Sequence, residues 1–144
     1  MKLNPKTLDQ IKKYFARKKG VVAVYLYGSF AKNQATKDSD IDLGVIFRQK
    51  TIKPFSSPQM IMGDEISNLI KRKVEIQDLK LCRLDFAHRV ISEGELVYAS
   101  NEEERIDFEE KVLREYFDLK PFLDEYYKCL AEIAQKGELN VRYL

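Results

Sequence analysis

Residues 27–43 read YGSFAKNQATKDSDIDL and join two apolar runs, residues 21–27 and 41–47. Each run is rich in β-branched side chains and has no regular polar alternation, which is typical of a buried strand. The polar segment between them has a glycine where the first run ends and two aspartates where the second begins. We therefore predict two strands joined by a polar loop, with reactive side chains at the strand ends.

The two aspartates of this segment, Asp40 and Asp42, are separated by a single residue. Side chains alternate between the two faces of a strand, so both carboxylates are expected on the same side. Two unpaired carboxylates on one side repel each other unless a cation lies between them. Because Mg²⁺ takes oxygen ligands from one or two carboxylates plus substrate phosphates, the spacing predicts a site for a metal–nucleotide complex.

The Gly28-Ser29 pair at the end of the first strand predicts a phosphate-binding turn. Gly28 has no side chain to obstruct a ligand, and Ser29 is expected to begin a short helix over residues 29–33, whose free N–H groups suit an anion. Lys32 and Ser39 are further candidates for nucleotide contacts, although a solvated loop lysine has the same signature. A lone Gly-Ser or Asp-x-Asp is usually only a turn, so the prediction depends on the two occurring together.

A third carboxylate, Glu75, is expected on a neighbouring strand over residues 74–79. It interrupts the apolar pair Val74 and Ile76, and it is a candidate for holding a second metal ion or for activating an attacking hydroxyl. A charged residue on an edge strand is also common for structural reasons. Asp78 lies at the opposite parity to Glu75 and is predicted to be structural.

The other predicted elements are mainly helical. They are a helix over residues 5–18, one beginning at Ser57-Pro58, one over residues 84–92, a strand over residues 96–99 and a helix from Ser100 to about residue 134. The second helix has a predicted core-facing stripe of Met62, Ile66, Leu69 and Ile70. Ser100 and Glu103 fit a capping box, and Pro121 is expected to kink or break the last helix.

This alternation predicts an α/β (α+β) fold, with a small mixed β-sheet, packed helices and a long C-terminal helix. No repeat or Gly/Ser-rich linker divides the 144 residues, so we predict one domain over 1–144, with its C-terminal helical segment at about 101–137. Five aromatic residues of that segment either pack on the sheet or face a partner. They are Tyr116, Phe117, Phe122, Tyr126 and Tyr127.

Composition narrows the functional classes. Apolar residues make up 44% of the chain and charged residues 33%, which excludes a disordered chain. The acidic stretch at residues 101–125 argues against binding nucleic acid directly. Cys82 and Cys129 fit neither a zinc site nor a disulfide framework. Without a signal peptide or an apolar run of membrane-spanning length, a cytoplasmic protein is expected.

The pattern Gly-Ser, ten residues, Asp-x-Asp resembles the signature of the minimal, MNT-type nucleotidyltransferases of the DNA polymerase β superfamily. Residues 73–79 and 91–98 also resemble the MntA-like antitoxins, which pair with a helical HEPN toxin. The resemblance departs at Asn33, where a glycine is usual, and at Glu75, where an aspartate is usual. Asn33 is nevertheless a residue that tolerates a left-handed backbone.

The resemblance implies a specific reaction. Gly28 and Ser29 would bind the phosphates of ATP, while Asp40, Asp42 and Glu75 would hold Mg²⁺. AMP would be transferred to a tyrosine hydroxyl of a HEPN RNase toxin, and the modification would silence the toxin.

Other functions remain open on the sequence. One is a non-catalytic antitoxin that acts by binding alone, and the other is a nucleotidyltransferase acting on a small molecule or RNA. The short chain leaves little room for a small-molecule acceptor pocket, and the acidic helix disfavours RNA. Arg83 and His88 have a spacing also found in HEPN ribonucleases, but they follow a predicted strand, so we expect His88 at a helix surface or core edge.

Overall fold

The computed structural model describes residues 1–48 and 57–137. Its elements, in chain order, are α1 (Pro5–Ala16), β1 (Val21–Tyr27), β2 (Ile41–Phe47), α2 (Pro58–Ile70), β3 (Val74–Asp78), α3 (Leu84–Glu93), β4 (Glu95–Ala99) and α4 (Glu102–Gln135). The predicted α/β class with a long C-terminal helix is confirmed. β1 and β2 have the predicted bounds, because both strands are continuously apolar and end at polar turns.

The four strands form one mixed sheet in the order β3-β2-β1-β4. β1 runs antiparallel to both β2 and β4, whereas β2 and β3 are parallel. The parallel pair requires a crossover, and α2 lies in that connection. Helices cover both faces of the sheet, which explains why β1 and β2 are apolar on both sides.

The face of the sheet that packs against α1 and α2, here called the α1/α2 face, holds the larger apolar core. Ile11 and Phe15 of α1 and Ile66 of α2 are completely buried there. The predicted stripe of α2 is correct at Ile66 but wrong at Leu69, which is half exposed. Leu69 lies in the last turn of α2, which ends at Ile70.

The opposite face, here called the α3/α4 face, packs against α3 and the first half of α4. Tyr25 of β1 and Ile46 of β2 form a smaller cluster there with Val90 of α3. A side chain at Gly44 would bring its Cβ within 2.9 Å of Val90 Cγ1. Gly44 therefore allows α3 to lie close enough to the sheet to form one wall of the site described below.

The start of α4 differs from the prediction. The N-cap is Asn101, whose Oδ1 accepts a hydrogen bond from the Glu104 N–H at 3.0 Å. Ser100 instead donates its hydroxyl to the Val21 carbonyl oxygen at 2.5 Å. The capping box of Ser100 and Glu103 was therefore wrong, because the Ser100 hydroxyl ties the end of β4 to β1.

The two halves of α4 have different surroundings. In the first half, Tyr116 stacks on His88 of α3 with ring centroids 3.7 Å apart, which places His88 at the predicted core edge. In the second half, Phe122 and Tyr126 are exposed. α4 continues unbroken through Pro121, since a proline inside a helix removes one backbone donor without necessarily ending the helix. None of the helices in the described ranges is both long and apolar enough to cross a bilayer.

Candidate active site at one end of the sheet

Three polar side chains lie in one row across three strands, at the end of the sheet where β1 gives way to its turn. Tyr27 of β1 is paired with Asp42 of β2, and Asp42 is paired with Glu75 of β3. Residues in register on adjacent strands project from the same face, here the α3/α4 face. Asp40 lies two residues before Asp42, just outside β2. The structure thus brings the three predicted carboxylates together.

The Gly28 turn is built around Asp42. Gly28 has a φ of 76°, a left-handed conformation that L side chains rarely adopt. A Cβ at this position would also clash with Asp42 Oδ2 and lie 3.2 Å from its Cγ. Glycine is therefore required here by both the backbone conformation and the close approach of the carboxylate.

Residues 28–33 form hydrogen-bonded turns and not the predicted short helix. The Lys32 N–H donates to the Gly28 carbonyl oxygen at 3.1 Å, and the Gln34 N–H donates to the Ser29 carbonyl oxygen at 2.8 Å. Asn33 has a φ of 58°, and this left-handed residue prevents the helix from continuing. The turn begins at Gly28, next to Asp42, but it lacks the dipole of a full helix.

Burial and the neighbouring carboxylates raise the pKa of Asp42 and of the Tyr27 hydroxyl. Burial raises the pKa of Asp42, and the neighbouring carboxylates of Glu75 and Asp40 raise it further. Burial also raises the pKa of the Tyr27 hydroxyl, with Asp42 and Glu75 adding to the effect. Negative charge is thus concentrated at this end of the sheet, as expected of a place that receives a cation.

Lys73 was not among the predicted site residues. Its ammonium Nζ lies 3.2 Å from Glu75 Oε1 and 3.7 Å from Asp40 Oδ2. A hydrogen bond to Glu75 is the main reason that the pKa of Lys73 is raised. The position of Lys73 two residues before Glu75, on the same side of a strand, was the available sequence signal.

The remaining predicted residues lie around this row in less direct positions. The Ser39 hydroxyl accepts a hydrogen bond from the Thr36 N–H at 2.8 Å and so stabilises the loop. The Lys32 ammonium lies 3.6 Å from Glu93 of α3. Asp78 is buried and accepts a hydrogen bond from the Lys80 N–H at 2.9 Å, consistent with its predicted structural part.

A cavity of about 200 Å³ adjoins the row on the side of α3. Tyr27 and Gly28 belong to its lining together with Phe86 and Arg89 of α3. The rings of Tyr27 and Phe86 meet edge to face with centroids 5.4 Å apart. Tyr27 therefore lies between the carboxylates and a partly open cavity.

The donor set fits Mg²⁺. All of its candidate ligands are carboxylate oxygens, and Asp40 and Glu75 both raise the pKa of Asp42, so three carboxylates share one exposed lysine, Lys73, as their counter-charge. Within the described part of the chain, no three Asp, Glu, His or Cys side chains form a preformed metal cage. Mg²⁺ does not require one, because it commonly binds one or two carboxylates and completes its shell with phosphate oxygens and water.

A glycine turn on one strand beside an Asp-x-Asp on the antiparallel return strand, on a small mixed sheet, defines a nucleotidyltransferase-type domain. A model of the family described as polymerase beta, nucleotidyltransferase, matches residues 9–103, more than half of the chain. The chain therefore belongs to the polymerase β nucleotidyltransferase family. Every predicted site residue lies within the matched range. No curated protein sequence matches the chain significantly.

Solved structures show the same fold at low sequence identity. A toxin–antitoxin structure with AMP-PNP superposes with a TM-score of 0.72 at 16% identity, covering 90% of this chain and 99% of the other. A chain of the toxin–antitoxin MntA–HepT has a TM-score of 0.70 at 16% identity, with 89% and 99% covered. A structure of a tri-AMPylated Shewanella oneidensis HEPN toxin in complex with an MNT antitoxin has a TM-score of 0.69 at 16% identity, with 88% and 97% covered.

Proposed function

We propose that this protein is a Mg²⁺-dependent adenylyltransferase that moves AMP from ATP to a tyrosine hydroxyl of a cognate HEPN toxin and thereby neutralises the toxin. The observation that carries the proposal is the registered row of Tyr27, Asp42 and Glu75 beside the Gly28 turn. The fold neighbours support the choice of ATP as the nucleotide and of a HEPN toxin as the acceptor. One of these structures contains AMP-PNP, and another contains an AMPylated HEPN toxin.

In this proposal the chain's own residues bind and orient the reactants. The Gly28-Ser29 turn places backbone N–H groups against the phosphates, with Lys32 and Ser39 at its margins. Asp40 and Asp42 hold the metal, and Glu75 either helps to hold it or accepts the proton of the attacking hydroxyl. Bound Mg²⁺ supplies neutralisation of the charge that develops on the phosphates.

The reaction itself is a displacement at phosphorus. The acceptor oxygen forms a bond to the α-phosphorus of ATP, the bond between that phosphorus and the bridging oxygen breaks, and pyrophosphate leaves. The chain acts as a single domain in the cytoplasm, where its ATP would be available. The acidic α4, which has Glu102, Glu103 and Glu104 in its first turn, fits a protein acceptor better than an RNA acceptor.

In the test, a HEPN protein is co-expressed with this chain and incubated with ATP and Mg²⁺. Its mass is then measured by mass spectrometry. We expect an AMP-sized mass increment on a tyrosine, lost with Asp40→Asn because a metal ligand is gone. Asp38→Asn is the matched control, since this exposed aspartate lies two residues earlier in the same loop. It should leave the increment unchanged.

The result that would overturn the proposal is equal modification by wild type and Asp40→Asn, or no modification by either. If the toxin were silenced by both proteins without a mass change, the chain would be an antitoxin that acts by binding alone. Modification of a small molecule or RNA in place of the HEPN protein would retain the enzyme class and change the acceptor.

A further inference from the structure

Lys73 pairs with two of the three site carboxylates at once. Its ammonium lies 3.2 Å from Glu75 Oε1 and 3.7 Å from Asp40 Oδ2, and it comes directly before β3. The side chains of Lys73, Asp40 and Glu75 are 65%, 42% and 49% exposed, so this pairing is open to solvent and can exchange. Exposed ion pairs of this kind contribute little to stability. We therefore attribute the pairing of Lys73 with the two carboxylates to a role in the site.

Two other cations near the site, Arg72 and Lys32, have other partners. Arg72 donates to the Ser39 carbonyl oxygen at 3.2 Å and lies over the Phe30 ring, 5.2 Å from its centroid. The Lys32 ammonium is directed to Glu93 of α3. Lys73 thus compensates the carboxylates from the side of the β3 edge, opposite the Gly28 turn.

A cation that binds to Asp40 and Glu75 would have to replace the ammonium group of Lys73, which now pairs with both carboxylates. Two positive charges at the same pair of carboxylates repel, and the long, exposed side chain of Lys73 can move away at little cost. A nucleotide brings its phosphates to the same carboxylates through the metal, so these phosphates would be the nearest anions for the displaced ammonium.

We propose that Lys73 is a positioning residue: a built-in counter-ion that holds Asp40 and Glu75 until metal enters and then binds the phosphates of the nucleotide. The inference rests on the metal site of the proposed function. It predicts that Lys73 opposes the binding of metal alone and favours the binding of metal with nucleotide. A lysine with only a structural role would not shift these two affinities in opposite directions.

The first measurement is the thermal unfolding midpoint of the purified chain over a series of Mg²⁺ concentrations without nucleotide. For Lys73→Met we expect a given rise above the Mg²⁺-free midpoint at an Mg²⁺ concentration about two- to fivefold lower than for wild type, because a competing charge at a surface pair is gone. Lys73→Arg retains the charge and should behave as wild type.

Lys71→Met is the matched control. It makes the same charge change two residues away, at an exposed position that follows α2. Lys71 already has a left-handed φ of 56°, so replacing one unbranched side chain by another adds no backbone strain. We expect the Mg²⁺ dependence of this variant to equal that of wild type.

The second measurement is the binding of a non-hydrolysable ATP analogue by calorimetry, at a fixed Mg²⁺ concentration that saturates each protein. Lys73→Met should bind the analogue about three- to tenfold more weakly, because one charge-assisted contact to phosphate is lost. Lys71→Met and Lys73→Arg should bind it nearly as wild type does.

The proposal is overturned if Lys73→Met needs the same or more Mg²⁺ for a given rise above its Mg²⁺-free midpoint, if no protein responds to Mg²⁺, or if the analogue binds Lys73→Met and wild type equally well. Neither measurement involves an acceptor. If AMP transfer fails but Lys73→Met still binds Mg²⁺ more tightly and the ATP analogue more weakly, the proposed acceptor is rejected. The assignment of Lys73 is then unaffected.

Discussion

The two faces of the sheet differ in the polarity of their side chains. The α1/α2 face is an apolar core in which Ile11, Phe15 and Ile66 have no exposed surface. The α3/α4 face combines a smaller apolar cluster with Tyr27 and Asp42, which remain partly exposed at the end of the sheet. The difference indicates that burial on one face stabilises the domain, while the other face can hold groups that burial and mutual repulsion disfavour.

Charges on the α3/α4 face also differ between its middle and its end. In the middle, Tyr25 donates its hydroxyl to Glu109, and Arg105 forms an ion pair with the same carboxylate at 2.9 Å. At the end, Asp42 lies beside Asp40 and Glu75 and forms no ion pair with the described residues. The polar groups that hold α4 on the sheet are paired within the protein, whereas in the candidate site Asp40 and Glu75 share the exposed Lys73 and Asp42 has no ion-pair partner among the described residues.

The largest effect on stability is expected from the α1/α2 face. Phe15→Ala should lower the free energy of unfolding by about 3–5 kcal/mol, because it removes a fully buried ring and leaves a cavity. Urea denaturation at 25 °C measures the change. Phe122→Ala, at a ring that is 73% exposed, is the control and should change stability by less than about 0.5 kcal/mol.

The comparison of the faces would fail if the Phe15→Ala protein, at a temperature where it is still folded, bound Mg²⁺ and an ATP analogue less well than wild type. The α1/α2 face would then contribute to the site and not to stability alone. A loss below about 1 kcal/mol would also contradict the assignment of Phe15 to the core.

A smaller effect on stability, joined to a large effect on the site, is expected at Gly28. Gly28→Ala forces a side chain into a left-handed backbone, at a cost of about 1–2 kcal/mol, and displaces the Asp42 carboxylate. We expect AMP transfer and Mg²⁺ binding to fall at least tenfold. Both can be measured on the protein that remains folded.

Gly20→Ala is the matched control for this prediction. Gly20 precedes β1, has a φ of 85°, and a Cβ there would meet nothing within 4 Å. Its variant should show the same backbone cost and unchanged Mg²⁺ binding. If both variants lost Mg²⁺ binding equally, the close contact of Gly28 with Asp42 would have no functional meaning.

The parts of the fold that could be predicted from the sequence are those set by local chemistry. β1 and β2 followed from two continuous apolar runs, and the Asp40–Asp42 pair from the alternation of a strand. Asn33 adopts the left-handed backbone that its amide side chain tolerates. In each case the residues of one short segment are sufficient to predict its local structure.

The features that could not be predicted depend on partners distant in sequence. Ser100 has the sequence signature of an N-cap, but its hydroxyl is taken by the Val21 carbonyl oxygen, 79 residues away. Leu69 fits the periodicity of a core stripe but is half exposed in the last turn of α2. Lys73 joins the site because β3 pairs with β2, and the strand order was not available from periodicity. Tertiary contacts decided all three.

The smallest effect, and the one with the sign opposite to most substitutions, is expected at Asp42. Burial and the carboxylates of Glu75 and Asp40 raise its pKa in the folded state above the unfolded value of about 3.9. A raised folded pKa contributes stability that is fully present below the unfolded pKa and is lost as pH rises through the folded value. Ionised Asp42 therefore destabilises the metal-free protein at pH 7.

Asp42→Asn should accordingly raise the thermal midpoint at pH 7 in EDTA, by about 1–3 °C, because the site is partly exposed and the gain is below about 1 kcal/mol. The difference from wild type should shrink as pH falls through the raised pKa of Asp42, because the wild-type carboxylate then becomes protonated. Addition of Mg²⁺ should reverse the order, since only wild type then gains stability from the metal. Asp38→Asn should show neither effect. A midpoint that falls at pH 7 in EDTA would mean that Asp42 supports the fold, and the division between a stabilising face and a chemical face would not hold at its central residue.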